Sequence, residues 1–323
     1  MNQLKKQKIM KTTVIYHRAD FDGIFCREIA RKFLPAETEF IGWDYNDDKI
    51  PFPDAGTVYV LDLSPECFQS LPDHAALMLD KPLIWIDHHK SAIDKWSAAI
   101  PGYRLDGVAA CRLAWQWFAA HFGGEDMNDA RFLGLPERQH FIDRIVNEPF
   151  AVRLAGEYDI WDKRDDRAEL FQHGLRSQEL TDADWKEMLD AEATIGFAAK
   201  VQKLLFQGKS IQYAQTRSNE SIIKEMGFTF HWEGLTFLGC NHARYNSHLF
   251  TAGLRPEHDA CFGFKWTGRE WSVSLYGVPG KPDLDLSAIA VKYGGGGHRQ
   301  ACGFRCNHLP FLREYPTHHA VNP

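Results

Sequence analysis

Several features are scarce or missing in this 323-residue sequence. There is no CxxC pair, and the seven cysteines (Cys26, Cys67, Cys111, Cys240, Cys261, Cys302 and Cys306) are odd in number. That pattern argues against a disulfide framework or a structural zinc site and fits a reducing compartment. No apolar stretch approaches the ~20 residues of a bilayer-spanning helix, so no membrane association is expected. Lys5, Lys6, Lys8 and Lys11 are not followed by the apolar run of a signal peptide. Residues 1–11 therefore read as a solvated tail, with Met10 as an alternative start, and the expected compartment is the cytoplasm. An excess of positive charge is missing too. Lys and Arg number 37 against 43 Asp and Glu, a net charge of −6. This speaks against a long electrostatic track for polymeric nucleic acid.

What is present is a 44% hydrophobic chain long enough for more than one core. Thr12–Tyr16 (TTVIY) is a β-branched, apolar run, and Ile24, Phe25, Ile29 and Phe33 follow at helical spacing up to Pro35. A second buried strand spans 57–61 and a third, LIWI, spans 83–86. A helix follows at 107–122, with Trp115, Trp117 and Phe118 as core packing. Residues 137–163 read as mostly helical. Strands alternating with helices predict α/β architecture with a parallel sheet. Residues 182–224 read as amphipathic helical segments. From Gly227 the pattern changes to short strands and Gly-rich turns. The expected organisation is therefore a parallel-sheet domain at 12–181, a helical connector at 182–224 and a smaller mixed α/β domain at 225–323.

Ligands of open α/β sheets bind beyond the carboxyl ends of the strands. In this sequence, VIYHRADFDG supplies His17, Asp20 and Asp22, VYVLDLS supplies Asp62, and LIWIDHH supplies Asp87, His88 and His89. Three strands thus deliver ionisable groups to one edge. Oxygen and imidazole donors without thiolate suit divalent first-row metals. An aspartate between two such ions can bridge them, and a pair of ions activates water for displacement at phosphorus. The GGGGH stretch has its own physics: consecutive glycines let backbone N–H groups close on an anion.

DHH after an apolar strand, with an upstream His-x-x-Asp-x-Asp-Gly and a lone Asp after a second strand, resembles the DHH phosphoesterase superfamily. GGGGHRQACGF resembles the signature of the DHHA1 domain that often accompanies it. Together these motifs run from residue 14 to about 304. The first motif is one residue shorter than in many members. The resemblance implies that His17 and Asp20 bind one metal, that Asp22, His88 and a later aspartate bind a second, and that Asp62 bridges them. Asp159 of EYDIWD is the preferred late ligand and Asp162 the fallback. His89 would lie near the substrate phosphate, and Asp87 would support the site. Gly295, Gly296, Gly297, His298 and Arg299 would grip the substrate in a cleft between the domains. Arg244 and Asn246, after an apolar strand, are further candidate substrate contacts.

The expected cofactors are two divalent cations, manganese by resemblance, with magnesium or cobalt as alternatives. The expected substrates are short oligonucleotides or dinucleotides cut to mononucleotides, and a homodimer is compatible with the sequence. Hydrolysis of pyrophosphate or polyphosphate is the rival within the superfamily. A nucleotide-binding module without turnover is the rival outside it.

Overall fold

The computed structural model describes residues 11–54, 56–72, 82–96, 99–123, 134–162, 164–190, 198–243 and 246–313. Apart from Lys11, the expected tail lies outside them. The chain divides into two compact units, residues 1–211 and 212–323.

In the first unit β1 (Thr12–His17), β2 (Glu39–Trp43), β3 (Thr57–Leu61) and β4 (Leu83–Ile86) form a parallel sheet in the order β2-β1-β3-β4. Side chains alternate between faces along a strand, and both faces of this sheet are covered. Val14, Tyr59, Leu61 and Ile86 point into one core, while Ile15, Val58, Val60, Leu83 and Trp85 point into the other. Near-continuous apolar runs are what a sheet buried on both faces requires. β2 is absent from the sequence reading above. It is an edge strand with a half-exposed burial pattern, so EFIGW carries a weak apolar signal.

The first core is closed by α1 (Phe21–Phe33), α3 (Ala110–Phe122), α5 (Phe150–Asp159), α6 (Arg167–Leu175) and α7 (Asp182–Leu189). Two short helices, α2 (Lys90–Lys95) and α4 (Arg138–Ile142), punctuate the loops. Much of the stretch read as a connector is helix α7 and most of α8 (Ala199–Met226). Trp185, Met188, Leu189, Val201 and Leu204 from it are buried in the first unit's core.

The second unit is a mixed sheet in the order β5-β6-β7-β8-β10-β9. Its strands are β5 (Phe228–Trp232), β6 (Leu235–Asn241), β7 (Ala260–Trp266), β8 (Trp271–Gly277), β9 (Gly296–His298) and β10 (Ala301–Cys306). β6 and β7 pair in parallel, and the other neighbours are antiparallel. A phenylalanine-rich core covers one face with help from α9 (Ser287–Lys292). Ile223 of α8, Leu249 and Phe250 cover part of the other.

One buried ion pair fastens α3 to the segment before α5. Arg112 is 1% exposed and Glu148 5%. The Arg112 Nε donates to both carboxylate oxygens at 3.0 and 3.1 Å, and Nη2 donates to Oε1. Removing one partner of such a pair strands the other charge, at a cost of roughly 3–5 kcal/mol. Arg112→Ala should therefore lower the denaturant stability of the first unit by that order, whereas Arg112→Met with Glu148→Leu should recover most of it. An unchanged midpoint for Arg112→Ala would show that the pair does not fasten these elements.

Candidate metal centre

All four strands of the first sheet run in one direction, and each is followed by an acid at the same edge. His17 ends β1 and Asp20 and Asp22 follow it; Asp44 follows β2, Asp62 follows β3, and Asp87, His88 and His89 follow β4. Asp159 is the last residue of α5.

Local structure fixes each of these groups. Asp20 is the N-cap of α1, and its Oδ1 accepts from the Gly23 amide at 3.0 Å. A Cβ on Gly23 would stand 2.0 Å from the His17 carbonyl oxygen, so a glycine is needed for α1 to start against the end of β1. Asp22 is held by a different helix. Its two oxygens accept from the amides of Ala110 at 2.8 Å and Cys111 at 2.7 Å, where α3 begins. Unsatisfied amides and the helix dipole both favour a carboxylate there. Asp62 has a left-handed backbone, φ 57°, which aspartate tolerates better than most residues. Its amide donates to Ile86 O at 2.9 Å. Asp87 is fully buried, and its Oδ1 accepts from the amides of His88 (2.8 Å) and His89 (3.2 Å) and lies 2.7 Å from His89 Nδ1.

The result is three interlocking sets: His17, Asp20 and Asp62; Asp22, His88 and Asp159; and Asp62, His88 and His89. In each set one donor atom per residue lies within 4.8 Å of the others. His17 Nδ1 is 2.9 Å from Asp20 Oδ2 and 3.3 Å from Asp62 Oδ2. His88 Nε2 is 3.3 Å from Asp159 Oδ2, 3.5 Å from Asp62 Oδ1 and 3.6 Å from Asp22 Oδ2. Asp62 thus turns one oxygen toward each histidine. Both of its oxygens are buried, and neither has a partner in hydrogen-bond geometry among the described residues; the same holds for His17 Nδ1. Buried polar atoms are nearly always paired. Converging, unpaired oxygen and imidazole donors are the chemistry that divalent cations satisfy, so the residues fit two such ions.

Charge is badly balanced without cations. Burial pushes the Asp22 carboxyl well up, and Asp62 and Asp159 add to it. Burial also raises Asp159, to about 7, with Asp62 contributing. Burial works against protonated His17, but its contacts with Asp20 and Asp62 outweigh this and lift it to about 10. His88 follows the same pattern with Asp62, Asp22 and Asp159, also reaching about 10. The carboxylate of Asp87 raises His89 despite its burial.

Asp44 and Tyr45 belong to this edge and are missing from the sequence reading. Asp44 Oδ1 lies 3.6 Å from His17 Nε2. The ring of Tyr45 lies 5.8 Å from that of His17 and 6.5 Å from that of His89. Their signal was an Asp-Tyr pair directly after EFIGW, which is legible once EFIGW is taken as a strand. Asp162, the fallback ligand, is turned away to Arg164, whose Nε lies 2.8 Å from its Oδ1.

The other candidates lie in the second unit. Gly296, Gly297 and His298 form β9, with Gly295 just before it and Arg299 in the turn to β10. A Cβ on Gly295 would meet Gly303 O at 2.0 Å, and Gly297 has φ 130°, so both glycines are structural needs; the Cβ position of Gly296 faces open space. His298 is exposed, and Arg299 Nη2 donates to Asp283 O at 2.8 Å. Asn246 caps the 3-10 helix Ser247–Gly253 through Oδ1. Arg244 lies outside the described residues.

No protein-family model matches this chain, and no curated protein matches it by sequence. Solved structures do. The DHH domain of a protein described as belonging to a family of ribosomal proteins superposes with a TM-score of 0.50 at 13% identity, over 92% of this chain and 82% of that one. The pGpG-specific phosphodiesterase PggH from Vibrio cholerae gives 0.48 at 15% identity, covering 92% and 93%. RecJ from Thermus thermophilus in complex with Mn²⁺ gives 0.40 at 13%, covering 94% of this chain and 50% of RecJ. At these identities the likeness concerns the fold.

Two outcomes are expected at this centre. Metal ligation needs neutral imidazole, while His17 and His88 hold their protons up to about pH 10 without metal. Binding of Mn²⁺ at pH 7 should therefore release protons, and affinity should rise with pH. Titration calorimetry in buffers of different ionisation enthalpy reads this directly; buffer-independent heats would contradict it. Asp44→Ala should weaken Mn²⁺ binding by about 10–100-fold, the usual loss when a partner of a ligating histidine is removed. Wild-type affinity would leave Asp44 without a role in orienting His17.

Proposed function

Because this chain has the fold of a DHH domain, we propose that it is a metal-dependent phosphoesterase acting on short oligonucleotides or dinucleotides and releasing mononucleotides. The observation that carries the reading is Asp62: buried, with one oxygen 3.3 Å from His17 Nδ1 and the other 3.5 Å from His88 Nε2, and neither in hydrogen-bond geometry among the described residues. Burial works against its anion, but contacts with His17 and His88 outweigh this and hold its carboxyl at about 2, so it stays a carboxylate that two cations could share.

His17, Asp20 and Asp62 would hold one ion. Asp22, His88 and Asp159, with Asp62 between, would hold the second. Two divalent ions supply a nucleophile at neutral pH and stabilise charge on the oxygens around phosphorus. The protein's own groups do the rest. The α3 N-terminus keeps Asp22 aimed at the centre. Asp87 accepts from the His89 ring through Nδ1, which leaves Nε2 for a phosphate oxygen. The His89 side chain is 40% exposed, so substrate can reach it. With its proton retained beside Asp87, His89 can donate to a non-bridging oxygen. In the second unit, open space above Gly296 and the exposed His298 support a role of that segment in binding substrate phosphate.

The net charge of −6 favours short substrates over a polymer held along a basic track. Manganese is the ion we propose first, by resemblance.

With Mn²⁺, a labelled RNA series from a dinucleotide to a longer oligomer should yield mononucleotides, fastest from the shortest members. Pyrophosphate in the same assay should be turned over slowly or not at all. Orthophosphate from pyrophosphate, with RNA left intact, would reverse the substrate assignment. Asp62→Ala should abolish turnover, and Asp162→Ala should retain most of it. A fully active Asp62→Ala enzyme would end the two-metal reading.

A further inference from the structure

Tyr45 is a large aromatic side chain left 45% exposed at the polar edge of the first sheet. It lies two residues beyond the end of β2 and belongs to neither apolar core of its unit. Core packing therefore does not account for its position, yet that position is firmly fixed. Its hydroxyl oxygen accepts from the Ser64 amide at 3.3 Å, which ties the far end of the side chain to the segment after β3. The backbone that carries it is a closed turn. The Asp47 amide donates to Asp44 O at 2.8 Å, and the Asp44 amide donates to Asp47 Oδ2 at 2.9 Å. The Trp43 indole donates to Asp48 O at 3.0 Å, and Arg18 holds the Asp47 carboxylate through Nε at 3.2 Å and Nη2 at 2.6 Å. Both ends of Tyr45 are thus fastened.

Three rings stand around it. Trp43 lies 5.3 Å away at 69°, His17 5.8 Å away at 68° and His89 6.5 Å away at 69°. All three meet Tyr45 edge to face, and no ring among the described residues is stacked on it. With its hydroxyl oxygen engaged, what Tyr45 offers to solvent is ring surface. That surface stands beside His89, whose side chain is 40% exposed.

A fixed, planar, uncharged ring next to a group suited to a phosphate oxygen matches one class of ligand. Every nucleobase has a π-face, and stacking on an aromatic side chain tolerates any of the four bases. Pyrophosphate and polyphosphate have no such face, so the ring gives them nothing. Rigidity matters as well, because a ring already held in place loses little freedom when a base settles on it.

We propose that Tyr45 is a stacking platform for the base of the nucleotide whose phosphate lies at His89, and that it makes the centre favour nucleotide phosphoesters over inorganic ones. The platform senses that a base is present and does not rank the four. Its effect on turnover rests on the phosphoesterase reading; the contact between ring and base does not. The test uses the full chain with Mn²⁺ and two substrates, a dinucleotide and the same sugar–phosphate backbone without bases. Tyr45→Leu should lower kcat/KM for the dinucleotide about tenfold, mainly through KM, and leave the base-free substrate unchanged. Tyr45→Phe should keep the wild-type value, because the ring is what the base meets. Dinucleotides of A, G, C and U should lose by similar factors. Mn²⁺ affinity and thermal melts of both variants should match the wild type. Equal losses on both substrates would make Tyr45 a mere support for His17 and His89 and overturn the platform, as would a Tyr45→Leu enzyme with wild-type kcat/KM. A second readout needs no turnover. A dinucleotide carrying a fluorescent purine, whose emission falls on stacking, is mixed with the protein and Ca²⁺ in place of Mn²⁺. The wild type should quench it and Tyr45→Leu should not. Such quenching without hydrolysis of any substrate keeps the platform and ends the enzymatic reading; hydrolysis with no quenching by the wild type does the reverse.

Discussion

Carboxylates repel one another, yet Asp20, Asp22, Asp44, Asp62, Asp87 and Asp159 crowd one edge of a four-stranded sheet. Of these, Asp22, Asp62 and Asp87 are almost wholly buried. In a low-dielectric setting such repulsion is costly. Protonation relieves part of it: Asp22 and Asp159 are pushed up, and His17 and His88 keep their protons. Those responses are the protein's substitute for cations. They are also the reason that proton release is expected to accompany binding of a divalent ion. The electrostatic cost is confined to the end of the sheet, while the rest of the unit packs apolar residues on both faces.

The frame that withstands this repulsion is made of backbone groups. The first amides of α3 hold Asp22, the amides of His88 and His89 hold Asp87, and the first turn of α1 holds Asp20. Backbone donors cannot rotate away as side chains can, so these carboxylates keep their aim, the preorganisation that a metal centre would require. Asp62 is the exception. Its oxygens lack such partners among the described residues, and its left-handed backbone presents it between the two histidines. With one oxygen toward each imidazole, it stands where a ligand shared by two ions would stand.

The second unit solves a different problem with different chemistry. Its described residues form neither a carboxylate cluster of this kind nor an all-parallel sheet. Its mixed sheet keeps one face for a phenylalanine-rich core and leaves part of the other polar. Gly295 and Gly297 are needed for β9 to lie against β10, whereas Gly296 is not constrained by packing.

The sequence by itself carried the parallel sheet and most of the residues that meet at the candidate centre. Apolar runs ending in Asp or His, at 12–17, 57–62 and 83–89, are legible because buried strands are locally apolar and the ionisable groups directly follow them. Asp159 was legible only by resemblance, because nothing in the spacing of EYDIWD separates it from Asp162. Tertiary structure separates them: Asp159 comes within 3.3 Å of His88 while Asp162 is taken by Arg164. Asp44 and Tyr45 were hidden because β2 is a half-exposed edge strand with a faint pattern. The anchoring of Asp22 by α3, 88 residues away, could not be read at all. Local patterns report which face of an element is buried; which distant groups meet there is decided by strand order and helix packing, and these exist only in the folded chain.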